Sequence, residues 1–236
     1  MSAELVRRFY ASATAAEEGG AHIVRLDQRT LKTPSKKPLH LPTRALAEAV
    51  AAEWQAQREH IFPSAMPITR LAFAAIDLLP ASRADIARDL TKYIETDLVA
   101  HRAEAPAPLV ARQTEHWDPI LDWAAERFGA RVPVVAGIIP ARVPTQYAAI
   151  LAKEIDRLDD FHAMALAQAV TLAGSILIGF AFIEGRLDAE AAFAAAALDE
   201  LWSQETCGED AEARARLERQ RAEWAALQRF VTSLQD

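Results

Sequence analysis

The sequence predicts an α+β protein, with a small β-rich domain over residues 1–42 packed with a larger all-α domain over residues 43–236. Three observations predict it. Short alternating apolar stretches bounded by turn residues are confined to the first 42 positions. From Thr43 onward, apolar residues recur at three- and four-residue steps. The most continuous apolar stretch, Phe161 to Ile183, has helical length and lies among amphipathic segments able to cover it.

The elements follow in order. After Arg7-Arg8-Phe9-Tyr10, a small and polar run through Gly19-Gly20 reads as a loop. His22 to Leu26 alternates as a strand, Asp27-Gln28-Arg29 turns, and Thr30 to Thr33 returns as its partner until Pro34. Leu39-His40-Leu41 is a third short extended piece between prolines. Such a module is too small to be stable unless it packs on the rest. Thr43 then caps a helix with Leu46, Ala49, Val50, Glu53 and Trp54 on one side. Thr69 to Leu78 forms a helix ended near Pro80, and Ser82 caps the next one. Leu109 to Phe128 returns to helical period before Gly129. Arg131 to Pro144, with three prolines among its residues, reads as an irregular packed connection that includes Ile138-Ile139. Tyr147 to Leu158 leads into one central helix over Phe161–Ile183, which Gly185 ends. An Ala-rich helix runs from Asp188 to about Thr206, and a charged helix runs from Asp210 to about Leu234. The last carries a stripe of Leu217, Trp224, Leu227, Val231 and Leu234.

Composition narrows the function classes. With 51% hydrophobic residues in 236, the chain can bury a real core. A formal net charge of -7 argues against a protein built chiefly to hold nucleic acid. Residues 1–45 carry eight basic and four acidic groups, or +4, which leaves 18 basic and 29 acidic groups, or -11, on the remainder. The single cysteine, Cys207, excludes an intramolecular disulfide and a Cys-rich zinc site, and fits a reducing compartment. The opening MSAELVRRFY lacks the apolar core of a secretory signal. The central segment is long enough to span a bilayer. Gln168, Thr171 and Ser175 interrupt it, however, and neither flank carries a block of Lys and Arg, so it reads as a buried helix without stable membrane insertion. A membrane-associated protein anchored by that helix is the alternative.

Nothing in the sequence announces catalysis, and no cofactor is expected. Gly174 and Gly179 have neither the Lys nor the context of a phosphate loop. Gly174-Ser175 lacks the rest of a hydrolase elbow. The six histidines are scattered. Asp159 and His162 have the i, i+3 spacing of di-metal carboxylate bundles, but the second acid-x-x-His is missing. Glu115-His116-Trp117-Asp118 is dense in polar groups, yet serves equally as a helix device with a packed Trp. Together Asp159, His162, Glu115 and His116 define the rival reading, a metal-dependent helical hydrolase.

Two surfaces suit protein binding better. The basic module sets Arg25, Arg29, Lys32, Lys36 and Lys37 around a hairpin and offers a charged edge to a partner. Near the end of the Ala-rich helix, Asp199, Trp202 and Ser203 share one side, with Glu200 and Gln204 on an adjoining one and Glu205 following. An exposed Trp among carboxylates would anchor a partner, whereas a core Trp with solvated acids would not; periodicity leaves both open.

The chain also resembles a known family. Arg8-Phe9-Tyr10, Leu26-Asp27-Gln28-Arg29-Thr30-Leu31-Lys32-Thr33-Pro34 and Ala45 through Trp54 are similar to the opening of the ATP synthase F(1) assembly chaperones that handle the alpha subunit. Met66-Pro67-Ile68-Thr69, Thr96-Asp97-Leu98 with Arg102, and Trp117-Asp118-Pro119-Ile120 with Trp123 extend the likeness. It implies a β-rich domain joined to a helical one. It also implies a non-enzymatic factor, needing no metal, that holds the unassembled alpha subunit until beta replaces it. Members work in mitochondria or in related bacteria, and the bacterial cytoplasm is the expectation here, with the chain a monomer. The family's important C-terminal glutamate is best matched by Glu200, beside Asp199 and Trp202. Cys207 departs from the pattern, standing where relatives commonly place Trp.

Overall fold

A computed structural model of the chain describes residues 6–137, 143–208 and 210–235. It is α+β, with a small N-terminal antiparallel sheet and a larger helical remainder. Two compact units divide it: Met1–Arg83 with Asp160–Ala165 and Ala226–Asp236, and Ala84–Asp159 with Leu166–Ala225.

In the first unit, β1 (Ala13–Glu18), β2 (Ala21–Leu26) and β3 (Arg29–Thr30) form an antiparallel sheet in sequential order. The polar run expected to be a loop is therefore a strand. Alanine and glutamate give it no strand signature, and it forms because every residue from Ala13 to Glu18 finds a register partner in β2. Gly19 and Gly20, both at positive φ (62° and 81°), make the two-residue turn that a right-twisted hairpin favours. Leu39 and Leu41 are buried, but their segment contributes isolated bridges, including His22 to Leu41, instead of a strand.

Helix α1 (Arg44–Gln55) packs its buried Leu46, Ala47, Val50, Ala51 and Trp54 face on β1 and β2. The Thr43 hydroxyl caps it as expected, accepting from Leu46 N at 3.1 Å. The Glu53 carboxylate caps the start of α2 (Pro67–Asp77), accepting from Ile68 N at 2.9 Å and Thr69 N at 2.7 Å. The next helix, α3 (Leu79–Lys92), begins three residues before the expected Ser82 cap. Pro80 falls in its first turn, where a missing N–H costs nothing.

The second unit adds β4 (His101–Arg102), which pairs in parallel with β5 (Val135–Ala136), and the long α4 (Ala107–Phe128), closed by Gly129. Ile138-Ile139 of the expected irregular connection lies outside the described residues. After α5 (Thr145–Arg157), the central segment is two helices and not the one expected: α6 (Asp160–Ala173) and α7 (Ile176–Ile183). Gly174 leaves the helical region and the Ser175 hydroxyl caps α7, accepting from Ile178 N at 3.0 Å. Every residue of α7 is buried. Among the described residues, no helix is long and apolar enough to cross a membrane.

The Ala-rich helix is likewise divided, into α8 (Ala189–Ala196) and α9 (Leu198–Cys207). The last helix, α10 (Ala211–Ser233), carries the expected stripe: Leu217, Trp224, Leu227, Val231 and the following Leu234 are all buried.

Candidate functional site

The start of α7 organises the polar groups of the second unit. Asp97 is fully buried, accepting from Ile176 N at 2.8 Å, Leu177 N at 3.2 Å and the Ser175 hydroxyl at 2.6 Å. It thus satisfies orphan donors of the helix from a distant point of the chain. Burial nevertheless pushes its carboxyl up to about 6, against the hydrogen bonds that favour the charge. One turn on, Arg102 is buried by its stacking over the Trp117 ring (5.0 Å) and by an ion pair with Asp118 at 2.5 Å. Trp117 donates its ring N–H to the Ala195 carbonyl at 2.9 Å, which ties α4 to α8. Buried Gln113 accepts from Ala103 N at 2.9 Å and donates to Asp199 at 2.7 Å. Arg102, Asp118, Trp117 and Gln113 thus tie β4 and the segment after it to α4, and α4 in turn to α8 and α9.

On α9, all three candidate carboxylates are engaged. Asp199 receives Gln113. Glu205 takes Arg112 of α4 in a two-pronged pair at 2.5 and 3.0 Å, and that bond holds its carboxyl below the usual range. Glu200 pairs with Arg216 of α10 at 2.7 Å, beside an open groove of about 410 Å³ that Arg219, Gln220 and Glu223 also line. Trp202 is neither a bare anchor nor a core residue. It is half-buried, with the Arg112 guanidinium 6.0 Å from its ring. Sequence reasoning missed Arg112 and Arg216, because pairing across 93 and 16 residues leaves no local spacing to read.

Arg29 and Lys32 are exposed on and just after β3. Their neighbours are occupied: Arg25 pairs with Glu18, and Lys37 bonds the Ile76 carbonyl at 2.9 Å. Among the described residues no three His, Cys, Asp or Glu side chains converge to hold an ion. Asp159, His162, Glu115 and His116 are not assembled into a site; Glu115 and His116 face solvent on α4.

Similarity to known proteins places this scaffold among the protein chaperones. Residues 7–125 match the family described as ATP12 chaperone protein. The crystal structure of Atp12 from Paracoccus denitrificans is 42% identical, covers 98% of this chain and 99% of that one, and superposes with a TM-score of 0.91. The Atu1473 protein of Agrobacterium tumefaciens is 38% identical over 97% of this chain and 86% of its own, with a TM-score of 0.90. The mitochondrial protein atp12 of Schizosaccharomyces pombe is 25% identical over 204 residues, which cover 80% of this chain and 69% of that protein. The chain belongs to the ATP12 chaperone family, chaperones of ATP synthase assembly.

Proposed function

We propose that this protein binds the unassembled alpha subunit of the ATP synthase F(1) head and holds it until beta takes its place, acting by binding alone as a monomer in the bacterial cytoplasm. The observation that carries the reading is α9. It presents a half-buried Trp202 together with Asp199, Glu200 and Glu205, in ion pairs and a hydrogen bond that lie at or near the surface. Exposed ion pairs contribute only about 0–1 kcal/mol each, so a client side chain can replace one of the partners at little cost, and beta can reverse the exchange. Arg29 and Lys32, both exposed, would add a basic contact. Neither contact needs nucleotide, metal, nucleic acid or membrane insertion.

The test is capture of separately produced alpha subunit by the purified protein, followed by addition of beta. Wild type is expected to retain alpha and to lose it to beta. Glu200→Lys is expected to keep its circular dichroism spectrum and weaken capture by roughly tenfold or more. A wild-type protein that ignores free alpha would overturn the reading. A Glu200→Lys variant that captures normally would remove Glu200 from the surface.

A further inference from the structure

We infer that the outward stripe at the start of α4 is an additional docking surface, one that takes an apolar polypeptide segment flanked by basic side chains. Ala107, Val110, Ala111 and Thr114 fall at i, i+3, i+4 and i+7, a single face of the helix. They line an open trough of about 590 Å³ with Glu104 and Glu115. The Thr114 hydroxyl donates to the Val110 carbonyl of its own helix at 2.9 Å, so its methyl is what remains to meet a partner. The floor is therefore apolar over about 12 Å of helix, two turns or slightly more.

Charge selects the occupant. Glu104 precedes the stripe and Glu115 ends it, both are exposed, and among the described residues neither forms an ion pair. The cation nearest Glu115 in sequence is Arg112, which feels its charge but is bound to Glu205. Exposed carboxylates at both limits of an apolar floor reward a segment with Lys or Arg before and after its apolar residues, and they repel one that ends in acids. Glu104 is also seated. Its Oε1 lies 3.2 Å from where a side chain on Gly137 would begin, so any larger residue there would press on the carboxylate. The surface differs from α9 in kind: α9 offers charges already paired, while the trough offers apolar area that awaits a cover.

Fluorescence anisotropy with a labelled amphipathic peptide tests this, using Leu at helical spacing and Lys at both ends, against the same peptide ended in Glu. The full-length protein is expected to bind the Lys-ended peptide at least tenfold more tightly. Val110→Asp, which charges the floor, and Ala111→Trp, which fills it, should each lose that binding about tenfold with an unchanged circular dichroism spectrum. Glu104→Lys with Glu115→Lys should reverse the preference. Glu200→Lys should leave peptide binding unchanged. Equal affinity for both peptides, or undiminished binding by folded Val110→Asp and Ala111→Trp, would overturn the inference.

Discussion

Asp97 is a carboxylate placed where water cannot reach it, and the hydrogen bonds it accepts from Ser175, Ile176 and Leu177 show why an acid stands there. Asp97→Ala would strand three backbone N–H groups and a hydroxyl in the core, at a cost of about 3–5 kcal/mol that a denaturation midpoint would report. The pH dependence has a definite sign. The folded-state pKa near 6 lies above the ordinary 3.8, so the folded protein binds this proton more tightly than the unfolded chain does. Stability from this group therefore grows as pH falls through 6 towards 4 and is lost as pH rises. The stability gap between wild type and Asp97→Asn should widen between pH 7 and pH 5, and a gap that narrows would contradict the assignment. Glu200 invites a different comparison. If it serves through Arg216, the double variant Glu200→Lys with Arg216→Glu restores the pair and should recover alpha capture; if it touches the client, the swap leaves capture weak.

Among the elements, the break between α6 and α7 has the most consequence. Gly179 lies against α6 so closely that an added Cβ would stand 2.8 Å from a Val170 methyl and 3.1 Å from Leu166. Gly179→Ala should cost about 1–3 kcal/mol by overpacking, measurable as a lowered melting temperature. The length and greasiness of Phe161–Ile183 were legible in the sequence, and so was its burial; the break was not. Gly174 and the Ser175 cap mark it locally, but Asp97 arriving from 78 residues away completes it, and periodicity carries no record of that. The same holds at β1, where propensity points to a loop and pairing with β2 decides otherwise, although Gly19-Gly20 was a readable hairpin signal. Thr43, Gly129 and the α10 stripe were legible because their causes are local: a hydroxyl reaching Leu46 N, a left-handed residue, a repeat of buried positions. Several residues that carried the family resemblance prove to be joints of the fold. Glu53 caps the helix that Pro67-Ile68-Thr69 opens, Asp27 accepts from Ala11 N and Ser12 N, and Arg102 stacks on Trp117. At the candidate site the acids were readable but their partners were not, since nothing near Glu200 or Glu205 in sequence names Arg216 or Arg112.

For the whole molecule, the uneven charge is the feature with a kinetic consequence. Residues 1–45 carry +4 and the rest -11, so a client meets surfaces of opposite sign. Capture of alpha should slow as NaCl rises from about 0.05 to 0.5 M, because the screening length then falls below the distance over which the surfaces steer. Arg29→Glu with Lys32→Glu should slow capture several-fold at the low concentration and little at the high one in stopped-flow measurements. A rate indifferent to both salt and substitution would remove the basic hairpin from recognition. The arginines that clasp α9 also bear on life between clients. Left bare, the acids of α9 would attract basic chains with little discrimination. On the proposed reading, Arg112 and Arg216 would be internal stand-ins that keep Glu205 and Glu200 occupied between clients, and weak exposed pairs of this kind would let a client enter and later leave.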